Sequence, residues 1–215
     1  MKNASAVFSL LSGLGGVTRF SGHKLHHKET VLEHTGAVAI IALLLAMRIN
    51  TLAPGTLNTG LVLASAIAHD WDESITGDIP RPTKYYSKEL RAQFGHVERA
   101  GIANLSEALG FPDLPTLHAD AKGKSPEGFV VALADIIGAV HRIWEEVLVF
   151  NNHSLVHTAK NVRDGLVDVM VRGEIMPEAA RPMLYGLQNE LAYMLRQAEK
   201  INTKIVELHS AHRDN

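Results

Sequence analysis

The chain contains no cysteine. Disulfides and thiolate zinc sites are therefore excluded, and a reducing compartment is the natural setting. Charge of either sign is not in excess: 21 Lys and Arg against 23 Asp and Glu leave a formal net charge of -2. No broad basic field exists to hold duplex nucleic acid by phosphate neutralisation, so nucleic acid is not an expected partner. A small phosphorylated molecule needs only a local basic pocket. Long apolar runs are missing too. The longest, residues 37–47, falls well short of the roughly 20 residues that cross a bilayer. One early lysine and a short mixed stretch over residues 4–14 form no secretory pattern. These features lead to the expectation of a soluble cytoplasmic protein without membrane contact, in a bacterium or in the host cell if the chain is phage-encoded.

What remains is a helical pattern over almost the whole chain. With 215 residues, 46% of them hydrophobic, one large domain spanning residues 1–215 is expected. A short helix over residues 4–12 is closed by Gly13, Gly15 and Gly16. Thr30 caps a long helix over 31–50, and Asn58 caps another running to His69. Residues 72–84, rich in Gly and Pro, read as an ordered loop. Ser87 opens a helix to about Leu109, stopped by Gly110, and residues 111–126 read as a long connection. Pro126 suits the first turn of a helix to about Phe150, broken by Asn151 and Asn152, and a further helix follows to Val171. The last begins near Pro177, with Leu184, Leu187, Leu191, Met194, Ala198, Ile201, Ile205 and Leu208 in steps of three and four. Such a seam either packs on the protein's own core or forms a subunit interface. No period-two strand pair, repeat or low-complexity tract is present, so the expected fold class is all-α.

Chemistry concentrates in two places within this pattern. His69 and Asp70 end an apolar stretch, and such a pair is costly to bury unless something compensates, commonly a divalent metal. Partners stand on both sides: His34 in an earlier apolar helix and Asp135 in a later one. Two imidazoles and two carboxylates from three helices suit Mn, Co, Zn or Fe and leave Mg open. Glu73 follows His69 by four residues and Asp70 by three, so in a continuing helix it shares their face and can act as general acid or base. Asp78, after Gly77, either orients that machinery or holds the turn.

Three segments carry a resemblance: E-H at Glu33 and His34, the run H-D-x-x-E-x-x-x-G-D-x-P-x-P-x-K over residues 69–84, and A-D at Ala134 and Asp135. Together with R-F at Arg19 and Phe20 and W-E-E-V-x-x-x-N-N over residues 144–152, they resemble the HD-domain phosphohydrolases. More closely they are similar to the YfbR-type 5'-deoxynucleotidases and the related phage dATP triphosphohydrolases (DatZ-like). The match covers about residues 10–153, with the helices over about 154–213 completing the bundle or forming an oligomer interface.

The resemblance implies a single HD-domain helical bundle holding one divalent metal on His34, His69, Asp70 and Asp135. Glu73 is then the catalytic carboxylate with Asp78 beside it, and Arg19 and Lys84 hold substrate phosphate. Phe20 stands where the bacterial enzymes carry tryptophan, as a wall by the sugar, while Gly22 and Pro82 shape the base pocket. The implied reaction hydrolyses the 5'-phosphate ester of a deoxynucleotide, deoxyadenine forms favoured, in a homo-oligomer that controls the deoxynucleotide pool.

One position departs from the family: where the bacterial enzymes place a lysine three residues before the last metal aspartate, this chain has Ala132. Lys24, Lys28, Lys122, Lys124, His23, His26 and His27 are the candidate substitutes, and the basic stretch over residues 21–28 either reaches further phosphates or is a solvated loop. Two other readings use the same residues: hydrolysis of another phosphate ester, such as a signalling nucleotide, or a non-catalytic module that binds nucleotide or a partner. Glu73 argues against the second, because a binding module has little need of an acid beside a metal.

Overall fold

The computed structural model describes residues 3–211, with side chains to Ile201. Ten α-helices run through the described residues: α1 (Ala4–Gly16), α2 (Val31–Leu52), α3 (Thr59–Ala68), α4 (Glu73–Thr76), α5 (Arg81–Lys84), α6 (Lys88–Leu109), α7 (Leu114–Ala121), α8 (Pro126–Trp144), α9 (Val156–Val171) and α10 (Arg181–Ala211). Only one isolated β-bridge, Thr18 to Thr30, interrupts the helical architecture among them. The start signals act as their chemistry dictates. Thr30 and Glu33 form a reciprocal capping box on α2, and the side chains of Asn58, Ser87 and Ser125 accept backbone N–H groups at the starts of α3, α6 and α8. Gly110 ends α6 in the left-handed conformation at φ 66°.

The core lies where α2, α3, α8, α9 and α10 meet, around Val38, Ala42, Phe129, Leu133, Ile143 and Leu166. The C-terminal seam is used inside the chain. Leu184, Leu191 and Ala198 are buried in the common core, with Leu187, Met194 and Ile201 packed against it. Ile205 and Leu208 lie outside the described side chains. Exposed apolar residues recur at helical spacing on the outer face of α2, at Ile40, Leu44 and Met47. By length and composition α2 could cross a membrane; here it packs on α3 and α8 and carries a site histidine.

Three expectations are corrected. Gly13 does not stop α1, which continues to Gly16. Its lack of a side chain serves close packing instead: a Cβ there would stand 2.9 Å from Ser74 Cβ and 3.3 Å from the Ser74 carbonyl oxygen. Residues 72–84 are not all loop, because α4 and α5 each form one helical turn within them. Residues 111–126 contain α7, whose Leu114, His118 and Ala121 are buried; three prolines hid an amphipathic turn that tertiary packing stabilises.

On the far side of α4, Gly101 of α6 lies against Ile75, with its Cβ position 2.9 Å from Ile75 Cδ1. The single turn that carries Glu73 is thus wedged between two helices at positions where neither has a side chain. Replacing Gly13 by alanine sets a methyl 2.9 Å from Ser74 Cβ and 3.3 Å from its carbonyl oxygen, so the turn has to shift. The variant is expected to lose about 1–3 kcal/mol in urea denaturation, with retention of wild-type stability contradicting the close approach.

Candidate active site

Four side chains from three helices meet in the core. His34 comes from the first turn of α2, His69 and Asp70 from the end of α3, and Asp135 from the middle of α8. Ligand atoms of His34, His69 and Asp70 all lie within 4.8 Å of one another. Asp135 Oδ1 joins them, 3.0 Å from His34 Nε2. Gly138, one turn after Asp135, leaves room for the His34 ring; a Cβ there would be 3.2 Å from its Cε1. The helix ends as His69 and Asp70 are reached, which frees two consecutive residues to turn toward one point.

The donor set fits a divalent metal. His69 Nδ1 donates to the carbonyl of Ala66 at 2.7 Å, which leaves the lone pair on Nε2. That Nε2 is buried and 2.9 Å from Asp70 Oδ2, yet the two are not aligned as a hydrogen bond. A buried imidazole nitrogen of this kind, beside a carboxylate it does not bond, has the position of a ligand atom awaiting a cation. Burial, with Arg19 second, lowers the His34 pKa and favours the neutral ring that ligates. Burial alone would raise the Asp70 pKa, but His69, His34 and Arg19 hold it well below its ordinary value. Asp135, with 41% of its side chain exposed, is the member open to a substrate.

Arg19 faces this cluster from a loop. Its Nη1 lies 4.0 Å from Asp70 Oδ2 and 3.9 Å from Asp135 Oδ1, and its Nε lies 3.8 Å from Glu29 Oε2. Both nitrogens are buried without a hydrogen bond, so the planar donor fork is unspent beside the His/Asp cluster. The loop closes on itself: Arg19 N–H donates to the Glu29 carbonyl and Val31 N–H to that of Val17, both at 2.9 Å. Phe20 is held at φ 53°, an uncommon conformation for a non-glycine residue that costs on the order of 1–3 kcal/mol. Asp78 Oδ2 accepts the Phe20 N–H at 2.9 Å and fixes that geometry. Gly77, with φ 73° and ψ 170°, occupies backbone space that is essentially glycine's alone and aims Asp78 at the loop.

Glu73 is pushed up to about 10, by burial first and then by the charges of Asp70 and Asp78, with Arg19 opposing. Its Oε2 is buried and unpartnered. Lys84 is committed elsewhere. Its ammonium pairs with buried Glu98 of α6; burial pulls its pKa down, but the Glu98 contact more than offsets that. Gly22 is exposed, and Pro82 lines a small cleft of about 240 Å³ with Arg81, Tyr85, Asn161 and Asp164.

Residues 6–175 match the family described as 5'-deoxynucleotidase YfbR-like. The chain belongs to that family. Among its relatives, the 5'-deoxynucleotidase of Erwinia tasmaniensis is 30% identical over 160 residues, 73% of this chain and 80% of that one. That of Pectobacterium atrosepticum is 32% identical over 148 residues, 67% and 74% of the two chains. Among solved structures, an HD-domain phosphohydrolase from Listeria innocua superposes with a TM-score of 0.72 at 22% identity, covering 94% of this chain and 98% of the other. The cyanophage S-2L HD phosphohydrolase DatZ, solved bound to dA and one catalytic Zn2+ ion, gives a TM-score of 0.56 at 16% identity, covering 93% and 98%. At those identities the two structures establish the all-α HD-domain fold of this YfbR-like chain.

Two groups of site-supporting residues escaped the sequence reading. In the first, α8 passes into a π-helical turn, Glu145–Val149, which places Glu146 under the Arg19 loop. Glu146 is fully buried and accepts from the N–H groups of His26 at 2.9 Å and His27 at 3.2 Å, from Arg142, and from Asn152. His23 bonds the Ser154 carbonyl at 2.7 Å and His26 stacks on Phe150 at 4.3 Å. The His-rich stretch is therefore a pinned loop, with both rings spent on structure. In the second group, buried Asp72 accepts from His118 Nε2 at 2.8 Å and Lys122 Nζ at 3.3 Å. A W-E-E…N-N pattern signals the first group only to a reader who expects loop anchoring; nothing in the sequence signals the second.

Burial alone would raise the Glu146 pKa, but hydrogen bonds from Arg142, His26, His27 and Asn152 outweigh it and lower the value from 4.5 to about 2. Because the folded-state value lies below the unfolded one, this carboxylate stabilises the fold above about pH 4.5, and the contribution is lost as pH falls toward 2. Glu146→Gln should cost about 3–5 kcal/mol at pH 7, and the gap to wild type should narrow below pH 4. Parallel stability curves down to pH 2.5 would contradict the assigned ion pairing.

Proposed function

We propose that this YfbR-like chain is a metal-dependent phosphohydrolase that cleaves the 5'-phosphate ester of deoxynucleotides. The observation that carries the reading is the convergence of two imidazoles and two carboxylates beside an arginine whose donors are unspent. His34, His69, Asp70 and Asp135 hold one divalent ion, for which Co, Mn and Zn suit the donor set best. When bound, that ion polarises a phosphoryl oxygen and makes water a stronger nucleophile.

The chain's own residues do the rest. Arg19 accepts the phosphate on its planar fork and spreads the charge that develops as the P–O5' bond breaks. Glu73, favoured in its protonated form by its surroundings, delivers a proton to the departing 5'-oxygen. Asp78 works through Phe20, fixing the backbone that presents Arg19. The Phe20 ring walls the sugar and excludes a 2'-hydroxyl, while Gly22 and Pro82 shape the base pocket. Lys84 reaches phosphate only by exchanging Glu98 for it.

A deoxynucleoside monophosphate gives deoxynucleoside and phosphate; a triphosphate gives deoxynucleoside and triphosphate. Deoxyadenine substrates are favoured, a reading supported by the dA bound to the cyanophage neighbour. Such an activity acts on the cytoplasmic deoxynucleotide pool. The apolar stripe of α2 supports a homo-oligomer; a monomer mass by light scattering at micromolar concentration would remove that part.

Product analysis with dAMP, dATP, AMP and ATP, each in Co, Mn and Zn, is the direct test. Deoxyadenosine should form from the deoxy substrates only, and equal turnover of ribonucleotides would discard the sugar-wall role of Phe20. Glu73→Gln should lower turnover about 10²- to 10⁴-fold with metal content unchanged, whereas His34→Ala should lose both metal and turnover. Normal turnover in either variant would end the assignment of that residue.

A further inference from the structure

A second basic site lies apart from the metal centre. A cleft of about 600 Å³ opens between α6 and α7, and none of the residues lining it belongs to the metal set. Arg91, Gly95 and Arg99 follow one another at four-residue intervals on α6 and all line the cleft. Gly95 is what brings the two arginines together: a Cβ there would stand 3.2 Å from Nη1 of Arg99 and 3.5 Å from Nη1 of Arg91. Two guanidinium groups therefore converge over one bare point of the helix. His118 and Lys122 face them from α7.

Acids in the neighbourhood do not balance these cations. Glu98 already serves both Lys84 and Arg91, and Asp72 serves both His118 and Lys122. Arg99 makes no ion pair among the described residues. Among the permanent charges that line the cleft, Arg91, Arg99 and Lys122 stand against Glu98 alone, in a chain whose net charge is -2. Like charges gathered at one spot are unfavourable unless an anion joins them, and paired guanidiniums match phosphate oxygens in geometry as well as charge. Ala92, Ile102, Pro115 and Ala119 complete the lining of the open cleft, and only Ile102 among them is buried.

We infer that the α6/α7 cleft binds an oligophosphate, either inorganic triphosphate or the phosphate tail of a nucleotide, on Arg91, Arg99 and Lys122. The site is joined to the reaction centre through Asp72, which lies in the chain between Asp70 and Glu73 and shares Lys122 with the cleft. It does not depend on which nucleotide is hydrolysed.

Calorimetric titration of the metal-loaded protein with inorganic triphosphate tests it. Wild type should show two binding events, and Arg99→Glu should weaken one of them by about tenfold or more while dAMP hydrolysis stays at the wild-type rate. Arg99 is exposed, so the variant should keep its circular dichroism spectrum. Gly95→Ala, which pushes on both guanidiniums, should weaken the same event, and Arg99→Lys should restore part of it. Arg19→Ala should affect only the other event. Unchanged triphosphate affinity in Arg99→Glu, or loss of all triphosphate binding in Arg19→Ala, would overturn the proposal. Repeating the titration with dATP on the metal-loaded Glu73→Gln variant, which does not release triphosphate on the timescale of the measurement, separates the sources: an Arg99-dependent event with dATP identifies a nucleotide tail, and its restriction to triphosphate identifies a free oligophosphate.

Discussion

Crowding of negative charge in the interior is the constraint on which the rest of the molecule depends. Asp70, Asp135, Glu73 and Asp78 act on one small region, and Arg19 is the permanent cation that faces it. One guanidinium does not neutralise so many carboxylates in a poorly solvated space. The protein meets the shortfall in two ways. Glu73 is driven toward its neutral form, and His34, His69, Asp70 and Asp135 are gathered into a donor set that suits a cation of higher charge.

That electrostatic demand explains the scaffold around it. Imidazoles and carboxylates can be gathered only if their helices approach closely, and the approach is made at glycines. Gly138 admits the His34 ring, and Gly13 with Gly101 holds the turn that carries Glu73. Arg19 must also be kept facing the acids by a loop with no regular structure of its own. The loop is therefore secured at three places: by backbone bonds at its ends, by Asp78 on the Phe20 N–H, and by Glu146 on the N–H groups of His26 and His27. The uncommon backbone of Phe20 is tolerated because these attachments determine it.

Helix starts were legible in the sequence because their signals are local: Thr30, Asn58 and Ser87 each satisfy an N–H three residues on, and Pro126 occupies the first turn of α8. The gathering of His34, His69, Asp70 and Asp135 was legible because a buried charge in an apolar run is conspicuous. The glycines of α1 misled, since glycine has two uses and only the three-dimensional neighbour, Ser74, decides between them. α7 was hidden because prolines early in a short helix resemble those of a loop. Glu146, Asp72 and the pairing of Lys84 with Glu98 were not legible, because each is a contact between segments far apart in the chain. Composition places charges on the list of residues; it does not say which ones are already spent.

The attachment at Glu146 has a consequence for where the chain can be shortened. His34, His69, Asp70, Asp135, Glu73 and Arg19 all lie before Phe150, so a fragment ending there would carry every side chain of the proposed site. It would nonetheless lack Asn152 and Ser154, whose side chains take hold of the Lys24 carbonyl. It would also lose α9 and α10, which bury Leu166, Leu184, Leu191 and Ala198 in the common core. The proposed site therefore ends in the sequence well before the structure that seats it.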